Sequence, residues 1–432
     1  MPDKTVSIEG GNAMLRFVAV LVAAAFVAAG AAQAQTKELT LWTHWAAEQI
    51  KRQYVEEAIA DFEKKNPGIK IKASWYEKNA LYAALKTALR AGQAPDIFYA
   101  EPDQTEYYEN SFLLDLSALN WANIEPWAKQ AWSYKGKPYG LPLEAWTVEL
   151  YYNKKLMSDL GVTVPENLQL SGDAFLDMVK KAKAKGIVPM ALGSGDRPFT
   201  GAHLTHEALL QKLGLEDYGK LLTGKLPWTD PRVVDTLKWV RGLVDAGLLP
   251  TTFTSLKLGE AHIYFHTKPG ALTFLNGSWY TSRAFNAPDQ GGQPVGFPLG
   301  IMKYPAVPGA ACPECRSIAV GGSYVINAET KHAKEAVAFL NTFATPEMGN
   351  KWLDRVMVQT GIKSDPSKIS GPNADYFKML EASNRGSKYY FGIPIQVMQG
   401  KPKEVFTQVI NMAFPAGTID VDGVVKQMGT AY

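Results

Sequence analysis

The chain has 432 residues, 46% apolar and 20% charged, with 45 basic and 42 acidic side chains and a formal charge of +3. That length suits two to three ordinary domains with real cores. The near balance of charge, with no run of five like charges, argues against a polyanionic or nucleic-acid partner. Eleven Trp, 19 Tyr and 18 Phe supply rings for cores and, beyond that, rings that a ligand could use.

The first segment reads as a secretory signal. Met14-Leu15-Arg16 begins a short positive region, Phe17 to Ala29 is an apolar run, and Ala32-Gln33-Ala34 supplies an A-x-A cleavage site. Residues 1–34 are therefore expected to be removed, with Met14 as an alternative start. The run is too short to span a bilayer, and no Cys stands near the site to carry a lipid anchor. A soluble periplasmic protein is the expectation.

The next elements alternate. Leu39 to Trp42 predicts a buried strand. A helix follows, with Ile50, Tyr54, Val55, Ala58, Ile59 and Phe62 on one face and Lys51, Arg52, Glu56, Glu57 and Lys64 elsewhere. Asn66-Pro67-Gly68 stops it. Ile69 to Trp75 alternates as a half-exposed strand does. Leu81, Tyr82, Leu85 and Leu89 mark a second helix, and Pro95 to Tyr99 a third strand. This β-α-β-α-β opening predicts parallel strands. Ligands of such sheets bind beyond the carboxyl ends of the strands. Those ends carry His44 and Trp45, Tyr76, and Glu101 and Asp103.

Trp146 to Asn153 reads as an extended segment, and Ile187 to Leu192 as an apolar strand. Ser171, Asp230 and Thr345 are predicted helix caps, the last two with Pro at the first helical position. Val320 to Ile326 reads as a strand broken by Gly321-Gly322, ahead of a Lys334 to Phe343 helix. The only cysteines, Cys312 and Cys315, stand in Cys-Pro-Glu-Cys. This spacing admits redox chemistry or half a zinc site, but an exported chain favours a small structural disulfide.

Several strings, in order along the chain, resemble the family 1 extracellular solute-binding proteins, the group that includes maltose-binding protein. They are Phe62-Glu63-Lys64-Lys65-Asn66-Pro67-Gly68-Ile69, Gly92-Gln93-Ala94-Pro95-Asp96-Ile97, Gly140-Leu141-Pro142 through Tyr151-Tyr152-Asn153-Lys154-Lys155-Leu156, and Asn276-Gly277-Ser278-Trp279. The resemblance implies two α/β lobes joined by a multi-strand hinge. Lobe one would hold 36–145 and 322–362, and lobe two 146–318 and 363–432. It also implies a carbohydrate ligand, the membrane permease subunits of an ABC importer as partner, action as a monomer, and no cofactor.

Sugars present C–H faces that stack on rings and hydroxyl edges that bond to carboxylates, amides and Arg. By resemblance Trp279 would stack on a sugar ring, and Asp103 matches a sugar-binding aspartate. Trp146 falls at a similar ligand position on the hinge, and the loop bearing Asp196, Arg197 and Phe199 matches a contact loop. Gly321, Gly322 and Ser323 mark the second crossing, where glycine permits either close ligand approach or a bend. The alternative for each ring is core packing, and for each carboxylate a solvated surface.

An exported carbohydrate hydrolase is the rival class. It needs paired acids, and Glu101, Asp103 and Glu149 could converge. No G-x-S-x-G elbow occurs. His203 and His206 stand in His-Leu-Thr-His-Glu, which is not a zinc-protease motif. No metal site is predicted. Gly219 to Lys225 resembles a phosphate loop, but Leu226 and Pro227 follow where a hydroxyl residue and a helix are needed, so it reads as a helix end and turn.

Overall fold

The computed structural model describes residues 1–3, 36–196, 199–267, 270–370 and 373–432. Residues 4–34 of the expected signal segment, Arg197 and the side chain of Phe199 lie outside them. Among the described residues no helix is long and apolar enough to cross a membrane.

The chain begins with β1 (Lys37–Thr43), α1 (Gln49–Lys65), β2 (Ile69–Trp75), α2 (Lys78–Arg90) and β3 (Ile97–Ala100). In β1, Leu39, Leu41 and Thr43 point inward with the period of two that a strand imposes. The face of α1 differs from the sequence expectation at three positions, since Ile50 and Ile59 are only partly buried and Lys51 is buried. It buries Lys51, Tyr54, Val55, Ala58 and Phe62, so Lys51 lies in the interior and Ile50 at its margin. At the end of α1 the Asn66 amide donates to the Phe62 carbonyl. Burial of Leu81, Leu85, Ala88 and Leu89 holds α2 on the same core.

The remaining principal strands are β4 (Gly140–Pro142), β5 (Ala145–Asn153), β6 (Val188–Ala191), β7 (Ala271–Gly277), β8 (Leu299–Met302), β9 (Cys315–Val320), β10 (Ser323–Ile326) and β11 (Lys388–Phe391). They form two sheets, each with its own lobe. Sheet one runs β2-β1-β3-β10-β4, with β1, β2 and β3 parallel and β10 antiparallel to both neighbours. Sheet two runs β11-β9-β5-β7-β6, with β8 also beside β5. The first residue of β5, Ala145, already pairs with Val320 of sheet two. The change of lobe therefore comes one residue earlier than expected.

Three chain crossings connect the lobes and are bonded to one another. Glu144 N donates to Gly322 O (2.9 Å), Gly321 N to Glu144 O (2.8 Å), and Ala145 N to Gln359 O (2.9 Å). The segment from Val320 to Ile326, expected as a strand broken at Gly321-Gly322 where the second crossing falls, is divided there between two sheets. Its paired glycines are the passage between them. A Cβ on Gly322 would lie 2.7 Å from the Trp45 ring and 2.8 Å from Tyr99, so the second crossing passes where no side chain fits. Cys312 and Cys315 are joined by a disulfide.

A cleft between the lobes

The crossings floor a cleft of about 240 Å³ whose walls come from both lobes. The carboxyl ends of β1 and β3 deliver His44, Trp45, Glu101 and Asp103, and the end of β7 delivers Trp279. Trp146, Asp196 and Gly321 complete the expected residues that line it. Tyr76, Gly322 and Ser323 do not. Tyr76 packs on Trp42 at 5.5 Å, Gly322 lies beneath Trp45 and Tyr99, and Ser323 is buried, accepting from the Trp132 indole at 2.8 Å.

The wall at the end of β7 is aromatic. Trp279 is half-buried and meets Trp146 edge to face, with centroids 4.5 Å apart. A Cβ on Gly277 would fall 1.9 Å from the Trp279 ring. Glycine there lets the indole fold back over the strand end. Behind the rings, His203 packs against Trp146 at 5.7 Å, with a ring nitrogen 3.1 Å from one of His206. Burial pushes His203 down to about 3, so this pair backs the wall as neutral rings.

The opposite wall is ionic. Lys51 Nζ lies 2.8 Å from both Glu48 and Glu144. Burial opposes ionisation of Glu48, but Lys51 and then His44 outweigh it and hold the carboxyl well below its usual range. Burial likewise opposes the charge on Lys51, and Glu144 and Glu48 reverse that. Glu101 accepts from Lys78, and from Tyr82 and Tyr99 at 2.8 Å each. Although burial disfavours its charge, Lys78 and the two phenols bring it down to about 2. Asp103 moves the other way, up to about 6, because burial and then the Glu101 charge disfavour a second carboxylate. Glu101 is therefore occupied by its own neighbours, while Asp103 is the carboxyl poised at the cleft.

On the lobe-two side, Asp196 Oδ1 accepts from Leu258 N at 2.8 Å, which fixes the start of the Leu258–His266 helix. Arg283 lines the cleft and forms no ion pair among the described residues. Its guanidinium lies so close to Gly259 that a Cβ there would be 2.7 Å away. Lys403 reaches from lobe two to donate to the Asp103 carbonyl at 3.0 Å.

Glu149 does not join Glu101 and Asp103. It is fully buried in lobe two, paired with Arg316 at 2.9 Å and bonded by Thr147, Ser383 and Asn384. Sequence reasoning missed Glu48, Lys51, Lys78, Tyr82, Glu144 and Arg283 as cleft residues. A signal existed for three of them. Glu48 and Lys51 are three apart at the start of a helix that leaves a strand end, and Glu144 stands alone in an otherwise apolar hinge segment.

Comparison with known proteins agrees with this architecture. Residues 46–350 match the family model for bacterial extracellular solute-binding proteins. The multiple sugar-binding protein of Streptococcus mutans is 25% identical over 337 residues, covering 74% of this chain and 73% of its own. The arabinooligosaccharide-binding protein of Bacillus subtilis is 26% identical over 332 residues, covering 74% and 72%. A structure from work on xylan utilisation by Caldanaerobius polysaccharolyticus superposes with a TM-score of 0.78 at 23% identity, covering 91% of this chain and 99% of that one. With the family match spanning most of its length and the cleft set between two α/β lobes, the chain belongs to the bacterial extracellular solute-binding proteins.

Proposed function

We propose that this protein is the periplasmic receptor of an ABC importer, which captures a mono- or oligosaccharide by lobe closure and presents it to the membrane permease. The observation that carries this reading is the make-up of the cleft. A half-buried indole on one lobe faces a carboxyl and a set of aimed polar groups on the other, which suits a sugar with its C–H faces and hydroxyl edges. The names of the relatives from Streptococcus mutans and Bacillus subtilis support a carbohydrate ligand.

In this reading Trp279 stacks on a ring of the sugar, Asp103 accepts from its hydroxyls, and Arg283 donates to them. Charge-assisted bonds of this kind are the stronger ones. Because the residues come from both lobes, the ligand binds the closed form best and so favours it. The protein acts as one copy, with lobes that follow the boundaries expected above except that Ala145 belongs to lobe two. A thermal-shift screen against neutral sugars, polyols and sugar phosphates tests the reading, since a ligand raises the melting point according to its excess over Kd. A neutral sugar should give the largest rise and be recovered unchanged after incubation. No rise across the library, or products from the hit, would overturn it, products pointing to the hydrolase reading.

A further inference from the structure

The cleft has a neighbour. A second cavity, of about 270 Å³, lies beside it and shares Val320 and Gln396 as wall residues. In that shared wall Gln396 Nε2 donates to the Val320 carbonyl at 2.7 Å. Both cavities straddle the lobes. On the second, Trp127 comes from the Pro126–Ala131 helix packed against lobe one, and Phe391 from the last residue of β11 in lobe two.

Their chemistry differs. Among the described residues, eight Asp, Glu, Lys or Arg side chains line the cleft and none lines the second cavity. Rings and amides stand in its walls among aliphatic and small residues. Trp127 and Phe391 stack nearly parallel, 13° and 6.0 Å apart, and Tyr108 and Tyr134 lie at 4.9 Å. Gln130 lines the space beside them, and Gln396 borders it. Phe391 is 53% exposed, so core packing does not account for its ring. Rings serve C–H faces, and an amide both donates to and accepts from hydroxyls. A space without charge suits a neutral ligand. The cleft itself, at about 240 Å³, falls below the roughly 300 Å³ at which pockets begin to hold drug-sized ligands. A ligand of several rings needs room beyond it.

We propose that this ring-and-amide chamber is an extension subsite that takes a further neutral sugar unit of an oligosaccharide whose first ring lies between Trp279 and Asp103. The proposal rests on the carbohydrate reading of the cleft. It is tested by calorimetry on the whole protein with mono-, di- and trisaccharides built on glucose, xylose, arabinose, galactose and N-acetylglucosamine. In the series that binds, the trisaccharide should bind at least tenfold more tightly than the monosaccharide. Trp127→Ala should remove that gain while leaving the monosaccharide within twofold. Gln130→Ala, at an exposed helix position, should give a smaller loss in the same direction without threatening the fold. Trp279→Ala should weaken every length. Equal affinity at all lengths, or no effect of either chamber variant on the trisaccharide, would overturn the subsite. So would an equal loss at every length, which would assign the Trp127–Phe391 stack to lobe movement. If Trp279→Ala still weakens binding in those cases, the cleft reading stands without the chamber. A panel that binds at no length removes both.

Discussion

Asp103 has two opposed roles at neutral pH. Its folded carboxyl sits at about 6 because burial and then Glu101 disfavour its charge, against roughly 3.9 for an unperturbed Asp. Between those values the folded state holds more proton than the unfolded one, so this group's contribution to stability falls as pH rises from about 4 to about 6. Asp103→Asn should therefore raise the melting temperature of the ligand-free protein at pH 7, and the gain should largely vanish at pH 4. The ionised form is also the better acceptor for ligand hydroxyls. Calorimetric affinity should fall as pH is lowered through about 6 in the parent protein, and that step should be missing in Asp103→Asn. An unchanged pH profile would remove Asp103 from ligand contact. Asp103 and Glu101 were both legible in the sequence, because a carboxyl after a parallel strand falls at the mouth of the sheet. The difference between them was not, since it depends on Lys78, Tyr82 and Tyr99 converging on Glu101 alone. Lys51 was misread for the same kind of reason, as its partner Glu144 lies 93 residues away.

Helix starts were the most legible elements, because a cap is a local bond. Ser171 accepts from Ala174 N, Asp230 from Arg232 N and Thr345 from Met348 N, each at the expected start. Thr345→Ala should cost about 1 kcal/mol of stability, the usual cost of losing such a cap, as read by denaturant titration. It should leave ligand affinity unchanged, since the Pro346–Val356 helix it begins packs on α1 behind the cleft. A strand's neighbours were less legible than its existence. The break in the Val320 to Ile326 segment was legible from its paired glycines, and the resemblance placed a crossing there, but its partners were not: β5 on one side and β3 and β4 on the other lie far away in the chain.

At the scale of the whole molecule, the three bonded crossings leave the lobes free to rotate as bodies only about the hinge. Saturating sugar should shrink the radius of gyration measured by small-angle scattering, and Lys403→Ala, which removes the bridge to Asp103, should enlarge it in the ligand-free protein. An unchanged radius in both experiments would mean that the lobes do not move. The division into two lobes came from the resemblance and not from composition, because apolar and charged residues are mixed alike along both halves.

The position of β10 in sheet one has a consequence for the order of assembly. This strand lies between β3 and β4, yet it follows them by 181 residues or more, after nearly all of sheet two. A chain emerging from the ribosome therefore exposes an open edge on β3 until residue 326 is available. Contacts of such long sequence separation form slowly. A polypeptide that must be threaded through an export channel gains time from this arrangement, since sheet one cannot close before Ile326 is made and sheet two cannot close before Phe391.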